Sequence, residues 1–439
     1  MTGEGGSRMA SNRYLGLLIA MLLIVLAGSA RAGENPIPPG TVITPQNWQQ
    51  YKQYMPEGMQ ALFSGTYFWK MPADVRIVIG PTSRYPQPAA YLDNTRKYSH
   101  LVQIKDLPNG GHYIEGYVAG QPFPDPAEPL KGYKILVDLW FRYQPYLLCG
   151  DDNNDYLLNG AGNVTTLRNA VVLRRLSHIS DPGQPINDPH AQGIDYSQWR
   201  MVLEPEQEKY TQTLTLYYVD QTRPEDDFLF LPSMRRVIRE SSNSRCAPAA
   251  GTDFVFDDFR GGFNGGITRF QADYLRDQSI LSLVNADPAV YGNTANYYPI
   301  MFPKPEVGKW EVRATQVIDT RRVPSMRAGY CYGKQIMYID KASYNLIWKD
   351  LYDPAMKFAK IDMVEHIAGR VPQEGMQLET GNTVQTMWNV QREHLSFFST
   401  AGSSRRGIIY NEQCRNLNGV NYDDIDHYST VSGLTQTMR

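Results

Sequence analysis

Nine runs rich in Thr, Val, Tyr and Phe, at 164–178, 196–203, 210–219, 227–231, 234–239, 266–284, 309–322, 334–340 and 346–352, most constrain what this chain can fold into. Gly, Pro and Asp break them apart, as turn formers do between strands. Several reach 10–15 residues, long beside a typical strand of five or six. Long strands following one another without intervening helices pair antiparallel with their neighbours. The expected architecture is therefore α+β, built on one large, strongly curved antiparallel sheet.

Helical patterning is confined to the first third. Thr44 and Pro45 open a helix whose apolar face is Trp48, Tyr51, Met55, Met59 and Leu62. Pro56 must interrupt it, so two short pieces joined near Met55 and ending before Gly65 are expected. Further helices are expected at 88–97 and at 129–146, the latter with Ile135, Leu136, Leu139, Trp140 and Tyr143 on its apolar side. The segments 180–195 and 285–308, dense in Pro, Gly, Asn and Asp, read as surface loops. A polar tail at 401–439 is expected to pack loosely, tethered through Cys414.

The first residues carry Arg8 and Arg13, then the apolar run 15–27, then Ala30-Arg31-Ala32. These are the three parts of a cleaved secretory signal, and they predict a signal peptide at 1–32 with the mature start at Gly33. An apolar run of about 13 residues is short for a spanning helix, which needs roughly 20, so no permanent membrane anchor is expected. No cysteine stands beside the cleavage site to be acylated, so the chain reads as a soluble periplasmic protein of a Gram-negative cell and not as a lipoprotein. Loss of the leader takes the formal net charge from −2 to −4, too mild to suggest nucleic acid. The charges alternate without a polybasic block, which also speaks against electrostatic adhesion to an anionic membrane. The mature part reads as a single β-rich domain at 33–400, with a helix-containing part at 33–150 and the long-stranded sheet at 160–365.

Four cysteines, Cys149, Cys246, Cys331 and Cys414, are widely spaced and form no C-x-x-C pair. In an oxidising compartment they read as up to two structural disulfides, with three pairings open.

Catalytic signatures are missing. His190 stands near Asp181, Asp188 and Asp195, but one imidazole in a run of turn formers reads as a solvated loop in which Asp caps its own backbone. The run Asp151-Asp152-Asn153-Asn154-Asp155 mimics a calcium loop until Tyr156 takes the place that needs glycine, and no Glu closes it. No Gly-x-Ser-x-Gly elbow is present. The glycines of Gly261-Gly262-Phe263-Asn264-Gly265-Gly266 lack phosphate-loop spacing and suit a turn or bulge entering the strand at Ile267. We expect no enzyme, no metal and no cofactor.

The stronger signal is apolar. Aromatic residues make up 12% of the chain and crowd the first helix and the strands, among them Tyr217 and Tyr218. They build either an ordinary core or, if the sheet is too wide for its own side chains to fill, an apolar cavity.

Several blocks resemble the bacterial family of domain of unknown function 1329: 234–265 (MRRVIRESSNSRCAPAAGTDFVFDDFRGGFNG), 309–323, 329–353, 116–126 and 38–51. The central block is also similar to outer-membrane lipoprotein-sorting proteins of the LolA/LolB-like fold. That resemblance implies an incomplete β-barrel with helices packed in or across its concave face and an apolar cavity for acyl chains. It further implies a periplasmic binding or shuttle protein for lipids or other hydrophobic small molecules, working with an outer-membrane β-barrel and an exporter of the resistance-nodulation-division type. The alternative is a structural or adaptor subunit docking on such a barrel. Under the carrier reading the first helix is a lid, and the cavity candidates are Trp48, Met55, Leu62, Phe254, Phe256, Trp310, Tyr338 and Trp348. One 16-carbon chain buried at about 0.8 kcal/mol per methylene contributes on the order of 10 kcal/mol before ordering costs, so no charged anchor is required. The chain departs from the family pattern at Gln335, where Arg is expected, and at Pro354-Ala355-Met356, where a turn glycine is expected. Cys246 and Cys331 fall inside two matching blocks.

Overall fold

The computed structural model describes residues 36–159, 161–240, 245–399 and 408–438. The expected signal peptide and cleavage at Gly33 lie outside the described residues.

The strands that precede the sheet come in two small pairs, β1 (Val42–Ile43) with β2 (Ile77–Val78) and β3 (Gln103–Asp106) with β4 (His112–Glu115). The main sheet then forms from two successive runs of next-neighbour hairpins. The first is β5 (Leu147–Leu158), β6 (Val164–Arg175), β7 (Ile194–Glu204), β8 (Gln212–Tyr218), β9 (Asp226–Leu231) and β10 (Arg236–Arg239). The second is β11 (Phe270–Ser282), β12 (Glu311–Arg322), β13 (Lys334–Asp340), β14 (Leu346–Tyr352), β15 (Phe358–Val371), β16 (Gly375–Asn389) and β17 (His394–Ser399). A short antiparallel seam, Phe397 to Ser399 of β17 against Leu158 to Tyr156 of β5, joins the two runs into one antiparallel sheet. Farther along β5, β18 (Ile409–Tyr410) pairs with Cys149 and Leu148.

The sheet is open, with β10 and β11 as its edges, yet it curls. The helix α3 (Lys131–Trp140) packs on β11, where the Cα of Gly132 lies so close that an added Cβ would stand 2.4 Å from the Ala272 carbonyl oxygen. The same helix sets Trp140 against Tyr217 of β8, ring centroids 6.1 Å apart. One helix can touch strands near both ends of the sheet only if the sheet wraps around it. Across the remaining gap, side chains substitute for backbone pairing. Gln221 accepts from the Ile114 amide and donates to the Ile114 carbonyl, the Thr268 hydroxyl donates to the Gln221 carbonyl, and Arg269 pairs with Glu225 at 2.9 Å.

The second run is buried on both faces. Ile336 and Tyr338 of β13 join one cluster with Met55, Met59, Leu62, Trp310 and Trp348, while Met337 and Ile339 join another with Ile135, Leu136, Leu139, Phe254 and Phe270. The first run buries its outer face, Val172, Trp199, Leu214 and Phe230, beneath Leu417, Tyr422, Tyr428 and Leu434.

The first helix forms as two pieces, a 3-10 turn over Trp48–Tyr54 and α1 (Glu57–Ser64), separated at Met55 and closed by Gly65 in the left-handed region. The second, α2 (Ala89–Tyr98), also follows the pattern. Three expectations change. Helix α3 stops at Trp140 instead of reaching 146, because Pro145 disfavours helical backbone at Gln144, and β5 follows from Leu147. Strands β15–β17 carry the sheet well past 365. The tail is not loose: residues 408–438 are seated on β5–β8, with Tyr428 edge-on to Trp199 at 4.8 Å and the Leu434 carbonyl accepting from Gln212. The tyrosines spaced through a polar segment make this cover, and polarity alone hid it.

Candidate functional site

Between the two runs, on the face the sheet wraps around, lies the segment 245–269. Its acidic pair fixes it to the second run. Asp257 accepts from Arg245 at 2.6 Å, Arg322 at 2.8 Å and the Tyr330 hydroxyl at 2.7 Å. Asp258 accepts from Lys349 at 2.6 Å and the Tyr332 hydroxyl at 2.7 Å. Both carboxylates are fully buried, where an ionised group persists only if it is paired and hydrogen-bonded. Cys246 and Cys331 form a disulfide that ties the start of this segment to the same half. The other bridge joins Cys149 to Cys414, so the cysteines resolve into these two pairs.

From this anchor the backbone makes a left-handed turn. Arg260, Gly261 and Gly262 have φ of 56°, 69° and 98°. Glycine takes such angles freely, whereas arginine pays roughly 1–2 kcal/mol. The turn is held by Arg142 donating to the Arg260 carbonyl at 3.0 Å, Lys349 donating to the Gly262 carbonyl at 2.9 Å, and Gln385 donating to the Asp258 carbonyl at 3.0 Å. A Cβ on Gly262 would meet Leu346 at 2.6 Å, so no larger residue fits there without a shift.

The strained turn projects Arg260 across the interior to the first run. Its guanidinium stacks 3.8 Å from the Trp140 ring centre, with Tyr217 at 5.1 Å and Tyr196 at 5.2 Å. Tyr196 and Tyr217 are register neighbours on β7 and β8, so the strand pairing itself presents both rings. Stacking satisfies the faces of the guanidinium but not its edge. Nε and Nη1 are covered and have no hydrogen-bond partner among the described residues. Arg142, beneath the turn, is pushed down to about 9 by burial and by the neighbouring Arg260 charge. Arg175 pairs with Asp195 at 3.3 Å and with Gln144 at 3.2 Å, and His178 shares the same carboxylate at 2.8 Å.

Two cavities flank this stack. The larger, about 380 Å³, lies in the gap between the ends of the sheet and is lined by Leu107, Trp140, Phe141, Tyr217, Ile267 and Met326 among others. The smaller, about 230 Å³, lies against β5–β8 and is bordered by Val171, Leu173, Phe259, Arg260, Phe398 and Ile408 together with polar groups such as Gln198 and Arg200. The larger falls within the range of small-molecule sites.

The family model for "Protein of unknown function (DUF1329)" matches residues 42–426. The chain belongs to the DUF1329 family. Among solved structures it is similar to a domain from Vibrio parahaemolyticus assigned to outer membrane lipoprotein sorting, at 15% identity and TM-score 0.45, covering 70% of this chain and 99% of that one. A DUF1329 family protein from Desulfovibrio piger matches at 14% identity and TM-score 0.42, covering 66% and 98%. A LolA superfamily protein from Nitrosomonas europaea matches at 14% and 0.33, covering 59% and 85%. No curated protein matches.

In this DUF1329 member the cavity candidates read from sequence fall into separate places. Met55, Leu62, Trp310, Tyr338 and Trp348 are packed together in one core, with Trp48 at its margin. Met55 and Tyr338 also border a groove of about 300 Å³ beside α1. Phe254 lies in the core on the opposite face, and Phe256 stands under Arg245 at 4.9 Å. None of the eight borders the two cavities at Arg260. Of the residues near His190, Asp181 and Asp195 are buried in separate networks and are not solvated, Asp181 accepting from Tyr143 and Asn411. Gln335 is buried at the start of β13 with both polar atoms unpartnered, and Pro354 opens a turn in which the Met356 amide donates to the Asp353 carbonyl. Sequence reading missed Arg260, although an arginine between a buried-type acidic pair and two glycines was its signal.

Proposed function

We propose that this protein is a periplasmic binding and shuttle protein for lipids or other hydrophobic molecules. The observation that carries this reading is the 380 Å³ cavity in the gap of an incompletely closed sheet, whose wall is mostly apolar by area, with Trp140, Phe141, Tyr217, Ile267 and Met326 in it, and which also meets polar groups such as Arg223, Glu225 and Arg269. Area, not a network of polar contacts, holds cargo in such a space, so release requires only that the gap open. Two disulfides suit an oxidising compartment. Partner proteins in the envelope, an outer-membrane β-barrel and a resistance-nodulation-division exporter, belong to the same proposal.

Native mass spectrometry of protein purified from the cell envelope is expected to show lipid adducts, and a fluorescent fatty-acid probe is expected to bind the purified chain. Repeated absence of adducts together with no probe binding would overturn the carrier reading.

A further inference from the structure

We propose that the molecule carried has a single anionic head, a carboxylate or a phosphate, on a hydrocarbon body, and that the head binds at Arg260 within the stack of Trp140, Tyr196 and Tyr217. This rests on the carrier reading and adds the chemistry of the cargo.

Arg260 is half-buried, borders the smaller cavity, and has two covered N–H-bearing nitrogens with no acceptor among the described residues. A guanidinium in this condition is costly in a protein interior, because its N–H groups have given up water and gained nothing in the plane of the ring. The backbone that presents it is strained, and three elements hold that strain in place through Arg142, Lys349 and Gln385. A partly covered charge on a strained, over-determined turn is an arrangement found at binding sites.

The surroundings reinforce the sign. Arg142 touches the turn, and Arg175 lies in the same interior, while the carboxylate they share the region with, Asp195, is already engaged by Arg175 and His178. Asp155, on the wall of the smaller cavity, is taken by Arg200. A positive charge is thus left over where the polar and apolar walls meet. An incoming acid supplies the missing partner, and its hydrocarbon body takes the apolar walls at Val171, Leu173, Phe259 and Phe398. Three rings around the cation reduce its contact with water, which strengthens a charge-assisted bond.

Competition against a bound fluorescent probe at pH 7.5 and below micellar concentration tests this with hexadecanoate, hexadecyl phosphate and hexadecanol on the wild-type chain. At least one acid is expected to bind about tenfold or more tighter than the alcohol, and the tighter acid names the head group. In Arg260→Gln, with native disulfides and circular dichroism as the check of folding, the acids are expected to fall to the affinity of the alcohol while the alcohol is unchanged. Equal binding of all three to the wild type overturns the anionic head, and an acid preference that survives in a folded Arg260→Gln overturns its placement at Arg260; both leave the carrier reading standing. No binding of any of the three overturns the carrier reading itself. The wild-type comparison needs no variant, so a misfolded Arg260→Gln does not remove the test.

Discussion

Every residue of β14 is buried, whereas β6 begins with three exposed residues and then mixes half-buried with buried ones. The two strands stand for the two halves of the sheet. The run β11–β17 is covered on both faces, by α1 and the 283–310 segment on one side and by α3 and the 245–269 segment on the other. The run β5–β10 is covered on its outer face by the chain's last residues, and on its inner face it borders the two cavities. One half is a frame whose buried cations Arg313, Arg322 and Lys349 are paired with carboxylates. The other is a wall whose inner surface has space and an unmatched cation facing it. Besides the seam between β17 and β5, the segment 257–262 connects them through the interior, held by the frame through Asp257 and Asp258 and delivering Arg260 to the wall.

The largest expected effect comes from breaking the frame. Lys349 is fully buried, donates to Asp258 at 2.6 Å and to the Gly262 carbonyl at 2.9 Å, and stands 3.3 Å from Asp362. Lys349→Met leaves two buried carboxylates without their cation, which costs about 3–5 kcal/mol. Urea denaturation measures it, and a loss below about 1 kcal/mol would remove the distinction between frame and wall. The Gly262 carbonyl is released in the same variant, so any preference for an acidic ligand is expected to weaken as well.

Next in size is the bridge that fastens the tail to the wall. Cys149 and Cys414 close a loop of 265 residues, and replacing both with Ser is expected to cost about 2–4 kcal/mol. The location of the loss sharpens the comparison more than its size. Hydrogen exchange should rise in 408–438 and along β5–β8, while β12–β15 keep their protection. A uniform rise over both halves would show that they open together.

The frame was largely legible in the sequence, and the wall's function was not. Strands β13 and β14 occupy the predicted 334–340 and 346–352 because apolar alternation and flanking turn residues agree there. The break at Pro56 and the cap at Gly65 were equally visible, since proline and glycine act through local backbone geometry. Strand β5 was missed because Asp151 to Asp155 are polar, and a strand whose inner face borders a cavity and whose edge is shared by β17 and β18 need not show an apolar pattern. Of the aromatic residues expected as cavity wall, Trp310 and Trp348 fill a core, because aromatic content measures how much apolar surface must be covered and not whether anything is left open. Arg260 escaped for a related reason. Its meaning depends on which carboxylates are already engaged, and that is settled only by contacts far apart in the chain.

The effect that separates the halves by pH is the smallest of the three at pH 5 and grows as pH rises. Glu365 of β15 is fully buried, and burial pushes its carboxyl up to about 8 from 4.5, although the Tyr297 hydroxyl donating at 2.9 Å works against the rise. Between those two values the folded protein holds a proton that the unfolded chain has released. Stability from this group is therefore complete below about 4.5 and is lost as pH climbs toward 8, with a slope of at most about 1.4 kcal/mol per pH unit. Asp195, beside the wall, runs the other way: burial alone would raise it, but Arg175 and His178 outweigh burial and hold it below its ordinary value, so its contribution is lost as pH falls. Glu365→Gln keeps the shape and the acceptor for Tyr297 and removes the titration. Urea midpoints of wild type and variant are expected to agree within about 1 kcal/mol at pH 5 and to diverge at pH 8.5, with the variant the more stable. Parallel curves across that interval would mean that Glu365 is already ionised in the fold, and the frame would then contain a buried charge paired by something other than the groups seen around it.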